Sequence, residues 1–179
     1  MKFTENRPLA CVVLVLVILF TLFVGGGNAL SAKSKAVETV FNGASESIAA
    51  ELKELADNAV VMNSIAANAK GANQDYVSAV SGAVEALQGA ETIAAKNEAS
   101  NALKTAVENL YSNVSNLTSL SSADAEDFKY RYRNYQSALL RISHDGYNDA
   151  ATVFNEEKTG FPASLICAVR GIKDATLFN

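Results

Sequence analysis

The sequence predicts an all-α protein: an elongated antiparallel bundle of three long helices plus a short C-terminal helix, behind an N-terminal transmembrane helix. Three observations lead there. A stretch without charge extends from Pro8 to Ala32. Beyond it, apolar residues recur at steps of three and four, the spacing that gathers side chains on one face of a helix. Two prolines in 179 residues leave room for long helices, because proline is the strongest helix breaker. Aromatics make up 8% of the chain against 49% hydrophobic residues, so alanine and aliphatics must supply most of the core.

The charge-free stretch has an aliphatic heart, Leu9 to Val24. Sixteen helical residues rise about 24 Å, short of the roughly 30 Å of a hydrocarbon core. Gly25, Gly26 and Gly27 bring the segment near that length and read as a flexible exit from the membrane. A helix apolar on every side has no face for water and belongs in lipid. The expected organisation is a tail over 1–7, an anchor over 8–30 and a bundle over 31–179. Lys2 and Arg7 precede the anchor, and Lys33 and Lys35 follow it. That difference gives only a small bias under the positive-inside rule. A signal-anchor places the bundle on the outer side of a bacterial cytoplasmic membrane. The competing expectation is cleavage, since Ala29-Leu30-Ser31 ahead of Ala32 satisfies the small-x-small rule of signal peptidase. The product would be a secreted bundle.

The first long helix is expected from about Ala32 to Ala69, with the stripe Val37, Phe41, Ala44, Ile48, Leu52, Leu55, Ala59, Met62 and Ala66. Ser45 and Glu46 fall on its polar face, and Gly71 is a plausible residue just past its end. Asp75 is expected to cap the second helix, which runs to about Leu117. Its stripe is Val77, Val80, Val84, Leu87, Ala90 and Ala94, then Leu103, Val107, Leu110, Val114 and Leu117. Gly82 and Gly89 weaken its middle. Ser121-Ser122-Ala123-Asp124 starts the third helix, expected to run to about Lys158 along Phe128, Tyr132, Tyr135, Leu139, Ile142, Gly146, Ala150 and Val153. Gly146 reads as a slot for a neighbouring helix. The short last helix runs from Pro162, at its first helical position, to about Val169.

The most specific pattern lies near the C-terminus. Tyr147-Asn148, Phe154-Asn155 and Phe161-Pro162 follow one another at steps of seven, and Gly171 and Phe178 close the series. Seven residues make two helical turns, so the first two aromatics share a face. This series resembles the C-terminal signature of the LemA family of bacterial membrane-anchored helical proteins. That family shows Tyr-Asn, then Tyr-Asn or Phe-Asn, then Phe-Pro at the same steps. Asn28-Ala29-Leu30 is similar to the family's motif after the membrane span. Gly27 stands where that motif has an aromatic, and Ser143-His144-Asp145-Gly146 where the family is rich in arginine. Leu52 to Asn58 replaces a basic, proline-containing stretch. The resemblance implies an anchored helical bundle and supplies no biochemical activity. The expected roles are structural: Tyr147, Phe154, Phe161 and Phe178 buried against the first two helices, Asn148 and Asn155 in lateral hydrogen bonds, Pro162 and Gly171 shaping the chain.

Candidate chemistry is sparse. A net charge of −4 and a pI of about 5.0 argue against nucleic acid, which needs a basic field. With a single histidine, His144, there is no His pair for a metal, and no cofactor is expected. His144 beside Asp145 reads as a solvated pair, and Asp124, Glu126 and Asp127 read as helix-capping acids. Lys129, Arg131, Arg133 and Arg141, interleaved with Tyr130, Tyr132 and Tyr135, form either an anion-binding face or an exposed basic side. Cys11 and Cys167 read as separate thiols. The sequence therefore points to a non-enzymatic scaffold or docking protein. Its expected partners are the lipid bilayer, other envelope proteins and a second copy in a homo-oligomer. A module binding a small ligand or lipid through a groove near Gly146 and the last helix is the alternative. A sensor ranks lower, because no second apolar run follows.

Overall fold

The structure is a computed structural model that describes residues 7–43 and 47–178. It contains α1 (Arg7–Phe41), α2 (Ile48–Asn68), α3 (Gln74–Gly89), α4 (Ile93–Val114), α5 (Ser122–Ser143), α6 (Tyr147–Thr159) and α7 (Ala163–Arg170). No strand occurs among the described residues. The chain divides into two compact units, one of residues 1–39 and 149–175, the other of residues 40–148 and 176–179.

The second unit holds a bundle of α2 to α5. α2 packs mainly on α5 and α3, and α3 packs on α4. Short links at 69–73, 90–92 and 115–121 join these helices, lengths that favour antiparallel neighbours. The expected stripes supply its core: Leu52, Leu55, Ala59 and Met62 from α2, Val80, Val84 and Leu87 from α3, and Leu103, Val107, Leu110 and Val114 from α4 are all buried. Each large aliphatic withdrawn from water contributes roughly 1.5–3 kcal/mol. Aromatic rings join α4 to α5. Tyr111 stacks on Tyr132 at 3.6 Å and on Phe128 at 5.8 Å between ring centres. Tyr135 is wholly buried, and its hydroxyl has no hydrogen-bond partner. Burial raises its pKa above the usual phenol range, and Glu108 and Tyr132 add to the rise.

The three long helices expected from the periodicity are each divided. α1 runs on from the apolar segment and stops at Phe41. Asn42 and Gly43 follow, and Ser47 begins α2 by accepting a hydrogen bond from the Ala50 amide at 3.3 Å. Ala44, Ser45 and Glu46 lie outside the described residues, as does Lys2. The second break follows Gly89, where Thr92 Oγ1 accepts from the Ala95 amide at 3.1 Å. The third follows Ser143, where Asp145 Oδ1 accepts from the Tyr147 amide at 2.7 Å. Each cap satisfies an amide that has no partner within its helix, an effect of about 1 kcal/mol.

These breaks correct several residue-level expectations. α6 buries Tyr147, Ala151, Phe154 and Lys158, whereas Val153, expected inside, is 56% exposed. The turn at 144–146 resets the helical phase. Gly146 is no slot, because a Cβ there would meet nothing within 4 Å, and the same holds at Gly82 and Gly89. Asn73, not Asp75, caps α3, its Oδ1 accepting from the Asp75 amide. Gly71 adopts φ +95°, but the residue capping α2 is Ala69. Pro162 is the N-cap of α7 and lies outside the helix proper. Ser121 starts α5 as expected: its Oγ accepts from the Asp124 amide at 3.1 Å and donates to the Asp124 carboxylate at 2.7 Å.

In the first unit, α7 rests on α1. Leu30, Ile166 and Cys167 form a buried cluster with Phe23, Ala163 and Ile172 packed around it. A Cβ on Gly26 would come within 2.9 Å of Ile166 Cδ1, and one on Gly27 within 2.2 Å of Arg170 Nε. These glycines belong to a continuous helix and make room for α7, so they are no flexible exit. Arg170 Nη1 donates to Asn28 Oδ1 at 2.9 Å. The segment before them stands bare: Leu14 is 60% exposed and Phe20 70%. Within Leu9–Phe41 the most apolar window has a mean hydropathy of 2.9, so α1 is long and apolar enough to cross a membrane.

Candidate functional site

The C-terminal series is built around the main chain of the tail that follows α7. Tyr147 and Phe178 both pack on Phe41, with ring centres 5.2 and 5.6 Å away. The Tyr147 hydroxyl donates to the Thr176 carbonyl at 2.6 Å. Asn148 Nδ2 donates to the Phe178 carbonyl at 2.6 Å, and the Phe178 amide donates back to Asn148 Oδ1 at 2.8 Å. Asn155 treats Ala175 the same way, donating at 2.9 Å and accepting at 2.8 Å. Each asparagine thus meets both the N–H and the C=O of one tail residue, as a neighbouring β-strand would.

The spacings agree. Two helical turns rise about 10.5 Å, and three residues of extended chain cover about 10 Å. Asparagines seven apart on α6 therefore match tail residues three apart. Asparagine fits because its side-chain amide carries a donor and an acceptor with the geometry of a peptide group. Aspartate lacks the donor. Lys158, nearly buried, pairs with Asp174 and lies 5.4 Å from the centre of the Phe154 ring, adding a charged contact at the start of the tail.

The remaining members of the series play other parts. Phe154 is buried at 3% exposure, but Phe161 is 84% exposed, against the expectation of burial. α6 ends at Thr159, so the helical repeat that aligns Tyr147 with Phe154 no longer governs the third aromatic. Gly171 adopts φ +67° and closes α7 in the left-handed conformation that suits glycine. The partners of both asparagines were missed in the sequence, because a main-chain acceptor leaves no mark in residue identity. Arg170, Asn28 and the glycines facing them were missed for a similar reason, as their contact joins residues over 140 positions apart.

Elsewhere, several charged groups are paired within the chain. Arg141 Nε donates to Glu51 Oε1 at 2.8 Å and Nη2 donates to Glu54 Oε2 at 2.7 Å. Glu51 Oε2 also lies 2.7 Å from Nη2, though not aligned for a hydrogen bond. Arg131 pairs with Asp127 at 3.1 Å. Two of the four cations proposed for an anion-binding face are therefore engaged by the chain's own carboxylates. A groove of about 360 Å³ opens in the bundle, with Leu52, Ala56 and Leu87 lining it and Lys53, Asp57 and Lys96 among its polar residues. The free thiols are Cys11, exposed, and Cys167, buried.

No curated protein and no solved structure matches the chain. A family model does, over residues 44–179. It covers the bundle and the whole of the asparagine-bearing series and begins beyond the apolar segment; the chain belongs to the LemA family.

Proposed function

We propose that the protein is a single-pass, membrane-anchored docking or scaffold protein of the bacterial envelope, with its bundle outside the cytoplasm. The observation that carries the reading is the bare apolar flank of α1 from Leu9 to Val24, with most of its large side chains 40–70% exposed. Leaving that flank in water would cost tens of kcal/mol relative to lipid, by the area rule of about 25 cal/mol per Å². A non-catalytic role draws support from the C-terminal series, whose polar side chains grip the chain's own backbone. The partners expected are other envelope proteins and a second copy of the chain.

Membrane fractionation tests the anchor. The full chain should resist alkaline extraction, and Leu14→Arg with Ile18→Arg should release it. Extraction of the unaltered chain would refute the anchor, and a mature mass lacking the first 31 residues would establish the secreted form. A topology reporter fused after residue 179 reads the side. Photo-crosslinkers at Tyr130 and Leu140, 50% and 60% exposed, test docking in native membranes. Recovery of no envelope protein and no second copy would count against it. A second reading, a module binding a small anion, draws on the groove beside Lys53 and Lys96.

A further inference from the structure

α7 differs from every helix of the bundle in its outward face. Ile166 and Cys167 turn inward, while Ser164, Leu165, Ala168 and Val169 face out. The one charge in Ala163–Arg170 is Arg170, and that side chain reaches back to Asn28 on α1. Phe161, Leu165 and Val169, four residues apart at each step, are 84%, 47% and 68% exposed. A helix facing water normally carries charge there. α6, which precedes it, does so: Asp149, Glu156 and Glu157 are all exposed.

The position of α7 says what covers this face. It packs on Phe23 and Leu30 and over Gly26 and Gly27, beside the end of the apolar flank of α1. That flank, Leu9 to Val24, is about 24 Å long where a bilayer offers roughly 30 Å. A short span is met by thinning of the bilayer or by flanking residues that reach its interface, the level at which α7 sits beside α1. We infer that α7 is an interfacial helix that sets Phe161, Leu165 and Val169 into the bilayer at the level where α1 leaves it. The inference rests on the anchor reading of α1. The occupant is lipid because the exposed face continues the lipid-facing flank of α1 in the same unit. Helices of this kind lie about 5–10 Å into the boundary between headgroups and acyl chains.

The chain has no tryptophan, so single tryptophans report depth without background. Full-length F161W, L165W, F20W and Y130W proteins would be reconstituted in phosphatidylcholine–phosphatidylglycerol vesicles. The acyl chains carry bromine either near the glycerol or near the methyl end. All four sites are exposed, so folding is not at stake. F20W should be quenched most by deep bromine, and Y130W only by aqueous acrylamide. F161W and L165W should show blue-shifted emission, lose most of their acrylamide quenching and respond most to shallow bromine. Acrylamide access at F161W and L165W equal to that at Y130W, with F20W still quenched in lipid, overturns the inference and leaves the anchor standing. Shielding from acrylamide without bromine quenching also overturns it, since the face would then be covered by protein. Failure of F20W to respond to bromine removes the anchor reading and this inference together.

Discussion

The bundle of α2 to α5 and the segment formed by α6 with its tail are held by different forces. The bundle closes through aliphatic stripes whose central members, among them Leu55, Met62, Val80, Leu103 and Val107, sit at 0% exposure. Its contacts are non-directional, and many arrangements of similar volume would serve. Among the described residues the tail has no helix beyond Gly171. It is held by paired amide bonds at Ala175 and Phe178, a hydroxyl at Thr176 and a ring at Phe178. Those bonds are directional, so position matters more there than volume. A repetitive, alanine-rich stretch builds the first region, and a few specific residues build the second.

The comparison is most sharply broken at Tyr147, the residue where ring packing and tail bonding coincide. Tyr147→Ala removes a wholly buried ring and the bond to Thr176, and should destabilise by about 3–5 kcal/mol in thermal unfolding of the solubilised chain followed by circular dichroism. Leu110→Ala, a core truncation without directional bonds, should cost about 2–5 kcal/mol and leave the tail's exchange pattern intact. Asn148→Ala and Asn155→Ala should each cost about 1–3 kcal/mol. Their distinguishing sign is faster hydrogen exchange at the Phe178 or Ala175 amide with the bundle amides unchanged. Uniform acceleration across the bundle would show that the tail and the core form one cooperative piece.

Smaller effects sharpen the same contrast. Tyr135→Phe removes a buried hydroxyl that has no partner, so stability at neutral pH should stay level or rise by about 1 kcal/mol. The folded protein keeps this phenolic proton where the unfolded chain, with its ordinary value of 10.0, releases it. The unfolded state then holds fewer protons, and stability falls as pH climbs past that value. Alkaline titration of unfolding should lose part of this fall in Tyr135→Phe. Phe161→Ala should change stability by no more than about 0.5 kcal/mol, because the ring is 84% exposed. A larger loss would place that ring in the packed interior after all.

Much of this was legible in the sequence, and the exceptions share a cause. The stripes through Leu52, Val84, Leu103 and Val107 mark the buried faces, because helical periodicity survives in the order of residues. The breaks after Phe41, Gly89 and Ser143 escaped, though each leaves a cue: Asn42-Gly43 before Ser47, Gly89 before Thr92, and Asp145-Gly146. A break of about one turn returns the next helix nearly in phase, so the apolar spacing runs on across it. The phase slip shows only where the interruption is read, as at Ala151 in place of Ala150. Within the C-terminal series, the step of seven identified Asn148 and Asn155 as laterally bonded. It failed at Phe161, where it outlives the helix that gave it meaning. The approach of α7 to Gly26 and Gly27 was invisible, since glycine marks a close contact only once the neighbour is known.

Because Asn148 and Asn155 grip peptide groups and ignore side chains, the fastening reads count and not lettering. Exchanging Ala175 or Leu177 for any residue but proline, which lacks the amide hydrogen, leaves every one of those bonds possible. Deleting a single residue between positions 175 and 178 slides the donors and acceptors past their mates, and no choice of amino acid would restore the match. Over evolutionary time the residues between the two gripped positions are free to drift in spelling, while the spacing from Ala175 to Phe178 is not free to change.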